Sequence, residues 1–336
     1  MTYALSADTP VTVAGGGSWG TALAHILAER GLPVTLWLRD AEIARYINQN
    51  HINPRYLPDM PLHPTLHAAT EPTALARNML VLAIPCQQLR RWLTEYRCHI
   101  RPGAVLVNAA KGLETGSQAR CSTVVADALQ GLEPRYTVLS GPSFAAEVMR
   151  GLPTAVVLAA ADAALGRSLR GLFSGPNFRC YSSTDIIGVE MGGALKNVMA
   201  IAAGLCDGLE LGNNSRAALI TRGLAEMSRL GVACGAQQAT FMGLSGLGDL
   251  TLTCTGDLSR NRRVGLGLAR GKSLAEITTA LGMVAEGVKT TAAVYQLAEN
   301  LGIEAPITAA IHRILHCGQE PRDALRQLME RDLRRE

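Results

Sequence analysis

Apolar positions along the chain follow two regimes. Up to about residue 185, short apolar runs alternate with stretches of helical period; beyond that point only the helical period remains. Val11-Thr-Val-Ala is a β-type run, and Val34-Thr-Leu-Trp-Leu-Arg39 is a second. Met79-Leu-Val-Leu-Ala-Ile-Pro85 is continuously apolar, as expected of a parallel strand covered on both faces. Further strands are predicted at 105–108, 136–140, 154–159 and 177–181, with helices at 21–30, 87–96, 117–129 and 161–173. This alternation predicts an α/β, doubly wound sheet. The remainder predicts helices over 188–209, 215–230, 236–243, 259–270, 273–281, 286–301, 306–317 and 321–333. A chain of 336 residues exceeds one typical core, so two domains are expected, 1–185 and an all-α 186–336. The boundary carries no long linker, which predicts close packing with a cleft between the domains.

The turn after the first strand is Gly15-Gly-Gly17-Ser-Trp-Gly20, a G-x-G-x-x-G between strand and helix and followed by a second strand. That context marks a dinucleotide-binding, Rossmann-type unit. Gly15 permits the tight turn, Gly17 lets the backbone approach a pyrophosphate, and Gly20 lets helix and strand pack closely. The helix N-terminus then presents free N–H groups to the anion. At the end of the second strand stand Arg39 and Asp40. A guanidinium there pairs with a 2′-phosphate and stacks on adenine, which favours NADP(H). Asp40 keeps NAD(H) open, because a small register change puts its carboxylate on the ribose.

Lysine is scarce: Lys111, Lys196, Lys272 and Lys289 are the only four, and the other 28 basic residues are arginine. Lys196 lies within Gly188-Val-Glu-Met-Gly-Gly-Ala-Leu-Lys-Asn-Val-Met-Ala, which otherwise reads as a buried helix. A desolvated lysine exchanges protons near neutral pH as arginine does not, so Lys196 has the profile of a general acid/base. The alternative is a lysine that snorkels out of the apolar face.

Two polar clusters follow. Gly243-Leu-Ser-Gly-Leu-Gly-Asp249 reads as a flexible, backbone-exposing segment, with Asp249 aligning the Lys196 ammonium, holding a substrate hydroxyl, or merely forming a turn. Ser259-Arg260-Asn261-Arg-Arg263 opens a helix. Hydroxyl, guanidinium and amide beside free N–H groups suit a phosphate. The alternative is a capped helix with a solvated basic turn, but three arginines there oppose the macrodipole unless an anion is present.

The net charge of +4 is too mild and scattered for a nucleic-acid partner, and it suits small anionic ligands. An apolar fraction of 48% with 18% charged residues suits a cytoplasmic globular enzyme. The first ten residues have no basic n-region, so no signal peptide is expected. The apolar run at 154–161 is too short to span a bilayer. The eight cysteines show no C-x-x-C pair and read as reduced, mostly buried thiols. His312 and His316 share a helix face but lack a carboxylate partner in sequence, and no metal is expected.

Together these segments resemble the bacterial-type NAD(P)-dependent glycerol-3-phosphate dehydrogenase family. GGGSWGTALA at 15, NAAKGLE at 108, SGPSFAAEV at 140, GVEMGGALKNVMAIAAGLCDGL at 188, GLSGLGDLTLTCTGDLSRNRRVG at 243 and VAEGVKT at 284 carry the resemblance in family order. It implies reversible reduction of dihydroxyacetone phosphate to sn-glycerol 3-phosphate for phospholipid synthesis, by a homodimer that is not membrane-embedded. It makes Lys196 the proton donor and acceptor at C2. It implies substrate contacts at Lys111, Gly141, Ser143, Lys196, Asp249, Ser259, Arg260 and Asn261, and cofactor contacts at Ser18, Trp19, Arg39, Lys111, Ala145, Arg260, Val284 and Glu286. Lys111 would add positive charge near Lys196. Cys86 stands where the family often has serine, adding redox sensitivity, and Ala146 replaces a common lysine.

Two other readings use the same residues. A related dehydrogenase acting on a non-phosphorylated hydroxy acid would not need Ser259-Arg260-Asn261. A non-catalytic NAD(P) sensor would not need Lys196 and Asp249.

Overall fold

The strand β1 (Val11–Ala14) is fully buried and sits inside an eight-stranded sheet. In the computed structural model, which describes residues 5–6, 8–282 and 285–330, the strands that follow are β2 (Val34–Trp37), β3 (Ile52–Asn53), β4 (Leu57–Pro61), β5 (His67–Ala69), β6 (Met79–Leu82), β7 (Val105–Asn108), β8 (Arg135–Ser140), β9 (Thr154–Ala160) and β10 (Phe178–Ser183). The sheet order is β10-β9-β8-β7-β6-β1-β2-β5, while β3 and β4 form a separate antiparallel pair. All neighbours in the large sheet are parallel except β8 and β9. The chain leaves β1 for β2 on one side and reaches β6 on the other, so the order reverses at β1. Ligands of such sheets bind outside the strand C-termini at this reversal.

Helices α1 (Ser18–Glu29), α2 (Ala41–Asn50), α3 (Cys86–Tyr96), α4 (Cys121–Ala128), α5 (Ala145–Met149) and α6 (Ala163–Phe173) accompany the sheet. Val11, Val13, Leu23, Leu27, Leu36, Val81, Val107, Leu139 and Leu158 belong to one buried cluster with Leu169 and Phe173. The second half contains α7 (Ile186–Gly208), α8 (Gly212–Ala233), α9 (Gln238–Phe241), α10 (Asp249–Thr255), α11 (Arg260–Ala269), α12 (Leu274–Leu281), α13 (Glu286–Leu301), α14 (Pro306–Cys317) and α15 (Pro321–Met329), with no strand among the described residues. The fold is thus a doubly wound α/β part followed by an all-helical part. By length and composition α7 is able to cross a membrane, but 89% of its apolar window is buried in protein, as in a core helix.

Two compact units result. One comprises the chain up to Lys111 with Cys121–Val189; the other comprises Gly112–Arg120 and the chain from Glu190 onward. This division differs from a cut at 185/186 in residues 186–189 and in the 112–120 excursion. The helix expected from 117 starts only at Cys121. Gly116 and Gln118 take left-handed backbone angles (φ +91° and +54°), which no helix admits, and Leu113 bridges Arg120 as in a small hairpin. The 243–249 segment is not a loose loop either. It is a π-type turn, with the Gly248 N–H donating to Gly243 O at 3.1 Å, that runs directly into α10.

The cysteines carry no disulfide among the described residues. Five are buried, while Cys98 and Cys317 are exposed. The Sγ atoms of Cys86 and Cys121 lie 3.7 Å apart.

Candidate active site

The glycine turn is shaped by contacts that leave no room for side chains. Gly15 has φ +118°, and a Cβ there would sit 2.5 Å from the Ala83 carbonyl oxygen. A Cβ on Gly20 would lie 1.9 Å from the Gly15 oxygen, so α1 packs onto the turn only because position 20 is glycine. A Cβ on Gly17 would meet nothing within 4 Å. Its backbone faces open space, as approach by a ligand requires. Asn53 of β3, fully buried, donates to Gly16 O at 2.9 Å and to Thr21 Oγ1 at 2.8 Å, and so pins the turn. The N-cap of α1 is Gly17, which has no side chain to accept from the first-turn N–H groups. Forced glycines, an accessible backbone and a helix start without a side-chain cap fit a dinucleotide pyrophosphate. Ser18 Oγ donates to Tyr56 O at 3.3 Å, and the half-buried Trp19 packs against the core of this unit.

Arg39 is exposed just beyond β2. The Asp40 carboxylate accepts from Glu42 N and Ile43 N, both at 3.1 Å, and caps α2. That role fixes the acid at a helix start. At the ends of β7 and β8, Lys111 Nζ donates to Gly141 O at 3.2 Å and Ser143 Oγ donates to the same oxygen at 3.1 Å. Gly141 has φ +142°, and its Cβ would lie 2.9 Å from Val156 Cα. Lys111, Gly141 and Ser143 therefore form one polar group. Ala145 opens α5 two residues later.

In the helical unit Lys196 is 7% exposed near the middle of α7. Its Nζ donates to Asp249 Oδ1 and to Thr253 Oγ1, each at 2.7 Å. Asp249 and Thr253 lie one turn apart on α10, both buried, and Thr253 Oγ1 donates to the Asp249 carbonyl at 2.6 Å. The carboxylate and the hydroxyl satisfy two of the three ammonium donors of the buried lysine. The surroundings are dry: burial pushes the thiol of the adjacent Cys254 up to about 12.

Asn197, the next residue on α7, accepts from Asn261 Nδ2 at 2.9 Å, and Asn261 Oδ1 accepts from Gly287 N at 3.0 Å. The start of α11 is thereby joined to α7 and to the first turn of α13, which Glu286 opens. Ser259 is the N-cap of α11 and accepts from Arg262 N at 3.2 Å. Arg260 stands exposed at the first helical position.

Contrary to expectation, not all three arginines at this helix start need an external anion. Arg262 pairs with Asp207 at 2.7 Å and with Asp257 at 2.8 Å, and Arg263 donates to Asp257 O at 2.9 Å. Arg262 is thus answered by two carboxylates within the protein, while Arg260 and Arg263 are both exposed, Arg263 with a neutral carbonyl as its acceptor.

The residues singled out in sequence thus fall into two groups, one in each unit. Gly15, Gly17, Ser18, Trp19, Gly20, Arg39, Lys111, Gly141, Ser143 and Ala145 belong to the sheet unit; Lys196, Asp249, Ser259, Arg260, Asn261 and Glu286 belong to the helical unit. Val284 lies outside the described residues. Sequence reasoning missed Thr253, Asn197 and Asn53. The spacing of four between Asp249 and Thr253 was the available signal for Thr253 once that stretch is read as helix. His312 stacks on Tyr295 with ring centroids 4.1 Å apart, a packing role.

Residues 10–166 match the family model for the NAD-dependent glycerol-3-phosphate dehydrogenase N-terminus, and residues 185–326 match that for its C-terminus. The chain is 68% identical over 326 residues to glycerol-3-phosphate dehydrogenase [NAD(P)+] of Desulfovibrio desulfuricans, covering 97% of this chain and 98% of the relative. It is 57% identical to the enzyme of the same name from Nitratidesulfovibrio vulgaris, covering 97% and 99%. Among solved structures, glycerol-3-phosphate dehydrogenase from Coxiella burnetii superposes with a TM-score of 0.92 at 41% identity, covering 97% of this chain and all of that one.

Proposed function

This chain belongs to the NAD-dependent glycerol-3-phosphate dehydrogenase family and is an NAD(P)-dependent oxidoreductase acting on a CH–OH group, and from that premise we propose that it interconverts dihydroxyacetone phosphate and sn-glycerol 3-phosphate with Lys196 as the general acid/base. The observation that carries this reading is the Lys196 ammonium, buried and held at 2.7 Å by both Asp249 and Thr253. A bound nicotinamide supplies or removes the hydride at C2 of the substrate. In the reducing direction Lys196 stabilises the oxyanion that develops on the C2 oxygen and then gives it a proton. In the oxidising direction the lysine takes that proton back. Asp249 and Thr253 fix where the Nζ atom sits, so its orientation is set before substrate arrives. Arg260, with Ser259 and Asn261, holds the substrate phosphate. That contact is remote from the reacting carbon and orients it. Lys111, Gly141 and Ser143 complete the contacts to the substrate, Lys111 also serving the cofactor.

The cofactor set is Gly15, Gly17, Ser18, Trp19, Gly20, Arg39, Lys111, Ala145, Arg260, Val284 and Glu286. With Asp40 engaged as a cap, Arg39 reads the 2′-phosphate, and NADP(H) is favoured over NAD(H). The sheet unit is thus the cofactor-binding domain and the helical unit the substrate-binding and catalytic domain, in a cytoplasmic homodimer whose product enters phospholipid synthesis.

The test is oxidation of NADPH and of NADH by the purified protein, with dihydroxyacetone phosphate and then with dihydroxyacetone. Rapid turnover with the phosphorylated ketone alone, faster with NADPH, and only slow turnover of dihydroxyacetone are expected. Equal turnover of both ketones removes the phosphate site, and a preference for NADH removes the role of Arg39. Cofactor binding without turnover of either ketone favours the sensor reading.

A further inference from the structure

Resting on the phosphate-site reading above, we propose that Asp207 and Arg262 are a positioning pair that sets the spacing between Lys196 and the phosphate-binding start of α11, and with it the preference for a phosphorylated three-carbon ketone. Lys196 and Asp207 both belong to α7, eleven positions apart, roughly 16 Å along the helix. Arg260 and Arg262 belong to the first turn of α11. Any slip of α11 along α7 therefore changes the distance from the proton donor to the phosphate contacts.

The two helices meet backbone to backbone. A Cβ on Gly204 would lie 2.0 Å from the Arg262 carbonyl oxygen, and one on Gly265 would lie 2.1 Å from the Ile201 oxygen. Helices that touch through glycine approach closely but have no large side chains interdigitating at that point, so their axial register there needs other restraints. Two polar clamps supply them. Asn261 to Asn197, at 2.9 Å, sits beside the lysine. The Arg262 fork on Asp207 sits at the far end, with Nε at 2.8 Å and a terminal nitrogen at 2.7 Å from the same carboxylate oxygen.

Asp207 is itself held from its other oxygen by Arg216 at 3.1 Å, and Arg262 reaches Asp257 at 2.8 Å, in the segment that leads into Ser259. The Arg262 and Asp207 side chains are 11% and 13% exposed. A largely desolvated ion pair adds little to stability over apolar packing of the same volume, but it does specify geometry, because the planar fork tolerates few orientations. Neither residue is among those assigned to ligand contact, so both act through Arg260 and its neighbours.

The experiment compares steady-state constants for dihydroxyacetone phosphate and dihydroxyacetone at saturating NADPH, with the Kd for NADPH by fluorescence, in the wild type, Asp207→Asn, Asp207→Glu, Arg262→Lys and Arg260→Ala. The Asp207 and Arg262 variants are expected to raise KM for the phosphorylated ketone about tenfold, equivalent to roughly 1.4 kcal/mol. Constants for the unphosphorylated ketone and for NADPH should stay within about twofold. An equal loss with both ketones marks a merely structural pair and overturns the proposal, as does an unchanged KM for the phosphorylated one. Asp207→Glu and Arg262→Lys keep a buried ion pair, so a folding defect in Asp207→Asn leaves the comparison intact. If Arg260→Ala retains the wild-type discrimination, the phosphate-site reading fails, and the positioning proposal with it. If Arg260→Ala abolishes that discrimination while the Asp207 and Arg262 variants keep it, the positioning proposal fails alone.

Discussion

The two units solve the problem of presenting a site in opposite ways. In the sheet unit the turn after β1 is defined by backbone: Gly15 and Gly20 are glycines because the Ala83 carbonyl and Gly15's own carbonyl occupy the space a Cβ would need. In the helical unit the site is defined by buried side chains, Lys196 with Asp249 and Thr253, and Asn261 with Asn197. Backbone amides cannot titrate and present a fixed partial charge, which suits a diphosphate that only has to be held. In the proposed reaction a proton must move at C2, and a titratable side chain can move it. Such a group can be buried only with partners, and it is the helical unit that carries the buried polar network.

The sharpest way to break this contrast is Lys196→Ala. Removing a general acid costs about two to four orders of magnitude in kcat. Because Lys196 is not among the proposed cofactor contacts, the Kd for NADPH is expected to stay near the wild-type value. A kcat close to wild type, measured with dihydroxyacetone phosphate, removes Lys196 from the mechanism.

Gly20→Ala addresses the opposite unit. Its methyl would lie 1.9 Å from the Gly15 oxygen, against backbone, and the turn has to move to admit it. NADPH affinity is expected to fall by about tenfold or more, on the order of 1.4 kcal/mol. The melting temperature should fall with it, because the helix–strand contact is part of the core. Gly17→Ala, where a Cβ meets nothing, is the control: stability should hold while cofactor binding weakens. If Gly17→Ala binds NADPH as wild type does, the backbone-approach argument fails at that position.

How much of this was legible in the sequence follows the same division. The glycine turn was readable because a local motif and its strand–helix context sit within about 30 residues. Lys196 was readable because a lysine inside an apolar helix contradicts its surroundings. Thr253 was not, because the 243–249 stretch read as loop, and a threonine gains meaning only once α10 is known to be a helix with Asp249 one turn away. Arg262 and Asp207 were invisible for another reason: pairing across 55 positions leaves no local trace, and the basic run invited an external anion instead. Short strands failed too. Leu57–Pro61 carries two prolines, and His67–Ala69 has only three residues. The reversal of β9 relative to β8 was equally hidden, because side-chain alternation is the same in both directions.

A buried acid without a ligand role sharpens the reading of the helical unit. Glu226 of α8 is 1% exposed and accepts from Ile307 N and Thr308 N at 2.9 Å and from Thr308 Oγ1 at 2.6 Å. It caps α14 from another helix, because the N-cap Ala305 has no side-chain oxygen. Burial pushes its carboxyl above the ordinary range, against these hydrogen bonds. Glu226→Ala leaves three buried donors without their acceptor, and a loss of about 3 kcal/mol in unfolding free energy is expected. Below the unfolding transition kcat/KM should be unchanged. A large fall in kcat/KM with intact stability would place Glu226 in the chemistry and blur the distinction between structural and catalytic buried charge.

The smallest effect belongs to the sheet unit and depends on pH. His25 on α1 accepts from His63 N through Nδ1 at 3.0 Å, and its Nε2 lies 3.3 Å from Glu29. Burial lowers its pKa below the ordinary 6.5, and the nearby His63 ring adds to that, while Glu29 opposes both. Protonation of Nδ1 would also break the bond from the His63 backbone. A depressed folded value means that the unfolded chain binds the proton more readily, so stability rises with pH through this window. The contribution is fully present above about 6.5 and is lost as pH falls through the lower folded value. His25→Asn keeps an acceptor in the Nδ1 position without a titrating group. Between pH 7.5 and 5.5 the wild type should therefore lose more in Tm than His25→Asn, by about 2 °C. Parallel profiles would mean that the imidazole is not the source of the dependence.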